Sequence, residues 1–224
     1  MVDIIIVTYN RANFLRDILK KLETQSIKDF FLIVTDDGSK SDGLIDPNQY
    51  PQIDRYLWAK KIGYTKVARL NEAIRMGKSE DIIILDDDCI PQTDDFIKGH
   101  VENLKNYPIS RGMIQFPQDN FNDSSAWMSA ANCAFKRSVM EKVGLFSDYL
   151  CGEYGHEDAD FFEKLRANGY KRAAPIDPRT LTYHIGENYA NNDRSFRIIG
   201  RNTQIFIEKW GYNPCTPRRW VDEG

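Results

Sequence analysis

The chain has 224 residues, a net charge of −3 and a pI of about 5.7, so it lacks the basic footprint of a protein whose main partner is nucleic acid. Its longest apolar stretches, such as residues 2–7, are far too short to span a bilayer, and no secretory pattern opens it. The cysteines Cys89, Cys133, Cys151 and Cys215 are widely spaced with no C-x-x-C pair, which argues against a zinc cage or a disulfide framework and suits a reducing cytoplasm.

In chain order, residues 2–7 predict a buried first strand. Phe14, Leu15, Ile18, Leu19 and Leu22 then recur at helical spacing, predicting a helix over 11–23 with Asn10 as its cap. Residues 30–34 predict a second strand ending at Asp36-Asp37-Gly38-Ser39, and 55–58 a third. A helix over 65–76 places Val67, Leu70 and Ile74 on one face. The run Ile82-Ile83-Ile84-Leu85 reads as a central strand of a parallel sheet, followed at once by Asp86-Asp87-Asp88. This alternation implies a right-handed, parallel, nucleotide-binding type of sheet through about residue 90. Beyond it we expect a helix over 93–106 capped by Thr93, short strands at 113–116 and 130–135, a helix starting at His156-Glu157-Asp158, a strand over 180–185 and a last helix over 194–210. The polar stretch 187–192 reads as a mobile lid or a plain surface loop.

Ligands of open α/β sheets bind beyond the carboxyl ends of the strands. Three adjacent carboxylates there repel one another unless a cation shares the site, and a hard divalent ion, Mn²⁺ or Mg²⁺, bridging to substrate phosphates resolves that conflict. At the end of the first strand stand Thr8-Tyr9-Asn10-Arg11, where the Tyr9 ring can stack on a base and helix N–H groups favour an anion. Asp36 and Asp37 end the neighbouring strand, where a carboxylate can accept from a pyrimidine N3–H or a ribose hydroxyl. Glu157 and Asp158 either favour a helix dipole or act as a general base for an incoming hydroxyl, with Gly152 and Gly155 letting the backbone bend toward an acceptor. His184 is either an ordinary strand histidine or an imidazole ligand beside the carboxylates.

Taken in order, these motifs resemble the GT-A nucleotide-sugar glycosyltransferases, particularly the large inverting group known as family 2, from Asp3 to about Trp210. The elements that carry the resemblance are 4–11, 34–39, 63–71, Leu85-Asp86-Asp87-Asp88, 131–137 with 143–146, Gly155-His156-Glu157-Asp158-Ala159-Asp160 and His184. It implies a GT-A α/β fold over 1–224. A Rossmann-like, mostly parallel central sheet belongs to a nucleotide-binding half at about 1–90, and a smaller acceptor-side sheet to a half at about 91–210. It also implies a metal-dependent inverting transferase that moves a hexose from a nucleotide sugar, UDP-linked, to a hydroxyl of a carbohydrate or glycoconjugate. Donor contacts are expected from Thr8, Tyr9, Arg11, Asp36 or Asp37, Lys66, Arg69, Asp86 and Asp87, and acceptor contacts from Asn132, Tyr154 and Glu157. Asp158 is the expected base, with Asp88 and His184 as Mn²⁺ (or Mg²⁺) ligands. The Q-x-x-R-W motif of processive polysaccharide synthases is missing: Arg218-Arg219-Trp220 lacks the glutamine, and the abrupt end suggests a first domain of something longer. Two alternatives stay open: a sugar nucleotidyltransferase, which would carry a glycine-rich, lysine-bearing loop after the first strand, and a nucleotide-sugar-binding module without catalysis.

Overall fold

In the computed structural model, the described residues are 1–117, 121–123, 129–152, 154–186 and 200–213. The first half alternates strand and helix: β1 (Val2–Thr8), α1 (Ala12–Glu23), β2 (Phe30–Asp36), β3 (Arg55–Trp58), α2 (Lys66–Met76) and β4 (Asp81–Asp86). These four strands are parallel in the order β3-β2-β1-β4. The sheet is extended by antiparallel β9 (Asn132–Lys136) and then β6 (Ile109–Arg111).

The aliphatic runs exist because both faces are covered. Ile4, Ile6, Leu32, Val34, Ile83 and Leu85 pack with Leu15, Ile18, Leu19 and Leu22 of α1. The alternate residues Ile5, Ile33, Ile82 and Ile84 pack with Val67, Leu70 and Ile74 of α2 and with Phe161, Phe162 and Leu165 of α5 (Glu157–Ala167). Period-two alternation thus feeds two apolar layers, one per face. Below the sheet, buried Asp3 accepts from Ser79 Oγ at 2.6 Å and from Arg137 Nη2 at 2.6 Å, tying β1 to α4 (Arg137–Val143).

A second sheet runs β5 (Cys89–Pro91), β10 (Thr182–His184), β7 (Ile114–Phe116) and β8 (Phe121–Asp123). Only Asp87 and Asp88 separate β4 from β5, so the acidic triplet is the joint where the chain leaves the large sheet for the small one.

Several local expectations change. Asn10 does not cap α1: it sits at φ 55°, its N–H donates to Ser39 Oγ (2.7 Å), and its Oδ1 accepts from Lys40 N (2.8 Å), tying the β1 and β2 turns together. Thr93 does not cap α3 (Phe96–Asn103), because its hydroxyl donates to the Arg179 carbonyl at 2.6 Å. The open Ile97 N–H is satisfied from outside the helix by Gln25 Oε1 at 3.0 Å. The last helix, α6, is described over Arg201–Trp210; the expected start at 194 and the stretch 187–192 lie outside the described residues.

Candidate active site

Parallel register brings the ends of β1, β2 and β4 level, with Thr8 opposite Asp36 and Val7 opposite Asp86. A cavity of about 940 Å³ opens above them. Thr8, Tyr9, Arg11, Asp37, Lys66, Asp86, Asp87, Asp88, Tyr154 and His184, all expected from sequence, line it.

Its floor is a charge network. Thr8 Oγ1 donates to Asp87 Oδ2 at 2.8 Å, and Arg11 Nη1 lies 2.8 Å from Asp87 Oδ1 and 2.7 Å from Asp88 Oδ2. Arg11 is therefore a protein cation holding the acidic pair. Burial still pushes the Asp87 carboxyl up to about 6, with Arg11 pulling against it and Asp88 adding to it. Asp86 instead pairs with Lys66, whose Nζ is 3.0 Å from Oδ1.

β10 lies antiparallel to β5 with His184 opposite Cys89, which delivers the imidazole to Asp88. His184 Nε2 is 3.5 Å from Asp88 Oδ1, and Nδ1 is buried without a hydrogen-bond partner. An imidazole with one buried nitrogen unpartnered and the other facing a carboxylate is a donor set that fits a cation. Gly186 is packed onto the same pair: a Cβ there would stand 2.3 Å from Asp88 Oδ2 and 3.1 Å from His184 Cε1. Cys89 Sγ completes a three-donor group with them, all donor atoms within 4.8 Å of one another. Burial holds that thiol well above the usual range, aided by Asp88 and Asp86. A protonated soft sulfur leaves Asp88 and His184 as the donors suited to a hard ion.

On the β2 side of the cavity, Asp37 is gripped by the Lys61 ammonium and the Thr65 hydroxyl, and Lys61 Nζ lies 4.2 Å from the Tyr9 ring centroid. The loop carrying Lys61 closes on the Asp37 turn because Gly38, at φ +88°, leaves room; a Cβ would come 2.4 Å from Lys61 N. Asp36 does not reach the cavity: it is fully buried, accepting from Ser39 N at 2.6 Å and from the Tyr56 hydroxyl at 2.7 Å. Arg69 also stays away, paired with Glu72 on α2 at 2.8 Å.

Opposite stand the carboxylates that open α5. Glu157 Oε1 accepts from the Tyr64 hydroxyl at 2.9 Å and lies 3.9 Å from Lys66 Nζ. Asp158 Oδ2 accepts from Ala130 N at 3.0 Å. Burial raises its carboxyl to about 7; Lys66 opposes that, while Glu157 and Asp86 reinforce it. Lys66 is buried too, yet Asp86, Tyr64, Asp158 and Glu157 hold it firmly protonated. Asn132 is the clear misplacement among the expected acceptor contacts. It is 1% exposed, its Oδ1 is 2.9 Å from His100 Nε2, and its Nδ2 donates to the Thr180 carbonyl at 2.9 Å, so its amide knits β9 to the second sheet.

Sequence reasoning missed Lys61, Tyr64, Asn202 and Thr203, which also line the cavity. Lys61 and Tyr64 flank Gly63 just before α2, a signal that was available. Asn202 and Thr203 come from the first turn of α6 and carry no motif that spacing would single out.

A mostly parallel sheet whose strand ends converge on an acidic triplet, with a small mixed sheet supplying a histidine beside it, is the architecture of the GT-A glycosyltransferases. The family model described as glycosyl transferase family 2 matches residues 3–125, more than half of the chain. The chain belongs to that family and is a glycosyltransferase, which sets aside a nucleotidyltransferase. A curated relative, the uncharacterized glycosyltransferase YwdF of Bacillus subtilis (strain 168), is 22% identical over 236 residues, covering 93% of this chain and 82% of the relative. Two solved structures share the fold. The mannosyltransferase PcManGT from Pyrobaculum calidifontis, in complex with GDP-Man and Mn²⁺, gives a TM-score of 0.63 at 21% identity over 88% of this chain. S. aureus TarS 1-349, in complex with UDP-GlcNAc, gives 0.69 at 14% identity over 85%. The chain spans 59% and 61% of the length of those two structures. Among the described residues no helix is long and apolar enough to cross a membrane.

Proposed function

We propose that this glycosyltransferase is metal-dependent and inverting, moving a hexose from a nucleoside diphosphate sugar, UDP-linked, to a hydroxyl of a carbohydrate or glycoconjugate. The observation that carries the reading is one cavity lined by the Asp88–His184 pair, whose imidazole Nδ1 is buried without a partner, with Asp158, its carboxyl raised to about 7, interacting with the lining residue Lys66. A likeness in fold to one protein holding GDP-Man and Mn²⁺ and another holding UDP-GlcNAc supports the donor class.

In this reading Tyr9, Asp37 and Thr8 face the nucleoside, and Lys66, Asp86 and Arg11 face the diphosphate and sugar. Asp88 and His184 hold Mn²⁺ (or Mg²⁺), which would neutralise charge on the leaving diphosphate. Asp158 takes the proton of the acceptor hydroxyl as its oxygen bonds to the anomeric carbon and the bond from that carbon to the diphosphate oxygen breaks. Glu157 and Tyr154 bound the acceptor side. The proposal treats the chain as one domain with a donor half to about residue 90 and an acceptor half beyond. It places the protein in the cytoplasm, where the unpaired Cys89, Cys133 and Cys151 stay reduced.

The test is a panel of UDP- and GDP-sugars, read by thermal shift with and without Mn²⁺, then transfer to candidate acceptors with the product anomer assigned by NMR. A ligand that binds the native state raises its melting temperature by mass action. Stabilisation indifferent to Mn²⁺, or a product that keeps the donor's anomeric configuration, would defeat the proposal.

A further inference from the structure

His156 precedes the α5 carboxylates, and its backbone lies in the left-handed region at φ 68°. A non-glycine residue stays there only where its surroundings over-determine it. Its neighbours do not: Gly152 (φ 104°) and Gly155 (φ 108°) sit in open space, a Cβ at either meeting nothing within 4 Å. The constraint comes from α6. His156 Nε2 is 2.8 Å from Thr203 Oγ1, its ring packs 6.0 Å from that of Phe206, and Asn202 Nδ2 donates to the carbonyls of Leu150 (3.1 Å) and Gly155 (3.2 Å). Asn202 and Thr203 are also cavity wall, whereas His156 is not. The turn that launches Glu157 and Asp158 is thus clasped to a helix turn that walls the cavity, while the two carboxylates reach it through Tyr64 and Lys66.

We propose that His156 is a positioning residue for transfer: its left-handed backbone aims Glu157 and Asp158 toward Lys66 and Tyr64, and its ring locks that aim to the first turn of α6. The inference rests on Asp158 acting as the base. It adds a second requirement, that the base be held in place from α6.

Backbone and ring can be separated on the full chain. H156N keeps a residue that tolerates positive φ but loses the ring; H156A loses both; T203V removes the hydroxyl at similar size. Each variant, and the H156N/T203V double, is assayed for kcat, acceptor KM, Mn²⁺-dependent donor affinity and melting temperature. H156N and T203V should each lower kcat about 3- to 10-fold, the worth of one hydrogen bond, and the double should be no worse than the poorer single. H156A should lose about 10-fold more from the unsupported backbone. Donor affinity of the two His156 variants should stay within about twofold of wild type, well inside the loss expected for one hydrogen bond. Wild-type turnover in H156N or T203V, additive losses in the double, or donor affinity falling in step with kcat would each overturn the proposal. Full activity of Asp158→Asn would instead remove the base on which the inference rests, an outcome distinct from all of these.

Discussion

Replacing Asp158 by asparagine should make the protein more stable and much less active, and both effects follow from the burial of one carboxyl. Its surroundings raise the carboxyl from an ordinary 3.8 to about 7. Between those values the folded protein keeps a proton that the unfolded chain has released, so folding stability falls as pH rises through that window and the loss is complete above about 7. At about 1.4 kcal/mol per pH unit the ceiling on the loss is about 4 kcal/mol. Asparagine has no proton to give up, so Asp158→Asn should gain roughly 2–4 kcal/mol relative to wild type between about pH 4 and pH 7, then hold that gain. Urea titrations at about pH 5 and about pH 8 measure it. Turnover should drop about 10²–10⁴-fold, the usual worth of a general base, with donor affinity unchanged. A stability difference flat with pH would refute the account of the carboxyl's environment, and undiminished turnover would refute its role.

Four further outcomes test the cavity and the fold beneath it. Lys66→Met removes the charge that opposes burial at Asp158, so the acid limb of the wild-type rate profile, near pH 7, should move upward; a profile of kcat/KM against pH reads this directly. Asp88→Ala or His184→Ala should abolish Mn²⁺-dependent donor binding in calorimetry, and unchanged heats would exclude that ligand. Gly186→Ala places a methyl 2.3 Å from Asp88 Oδ2, so Mn²⁺ affinity should fall about 10-fold or more, as for a displaced ligand contact, with little change in melting temperature. Arg137→Met leaves the Asp3 carboxylate buried without its cation, which should cost about 3–5 kcal/mol in urea unfolding while sparing donor binding.

The parallel half of the fold was legible because its strands are buried on both faces. Runs such as Ile82-Ile83-Ile84-Leu85, rich in β-branched residues and bounded by polar ones, suit such a strand, and the β3 boundaries agree with expectation residue for residue. The shortest strands were harder to read: β5 in the second sheet and β6 at the edge of the first have three residues each and owe their existence to partners far along the chain, so no local period marks them. The same physics explains the misread caps. Asn10 and Thr93 are good capping residues by type, but each found a better partner across the fold, and the α3 terminus borrows Gln25 from the turn that follows α1. At the site, carboxylates announce themselves, whereas what each one does depends on who reaches it. Asp36 and Asp37 are chemically identical in sequence, yet strand alternation turns the first into the protein and the second into the cavity. Asn132 looked like a substrate contact because amides often are; only the fold reveals His100 and Thr180 waiting for it.

The two-residue joint between β4 and β5 has a consequence for how this enzyme can diverge. Asp87 and Asp88 form a turn whose length sets the register of β5 against β10, and a one-residue slip of register turns every side chain of a strand to the other face. Lengthening the joint by one residue would therefore swing the Asp88 carboxylate away from the imidazole and shift the hydrogen-bonded partnership of Cys89 with residue 184. Loops at the rim are free to lengthen as acceptors change, but this hyphen of two aspartates sets the spelling of everything on either side of it.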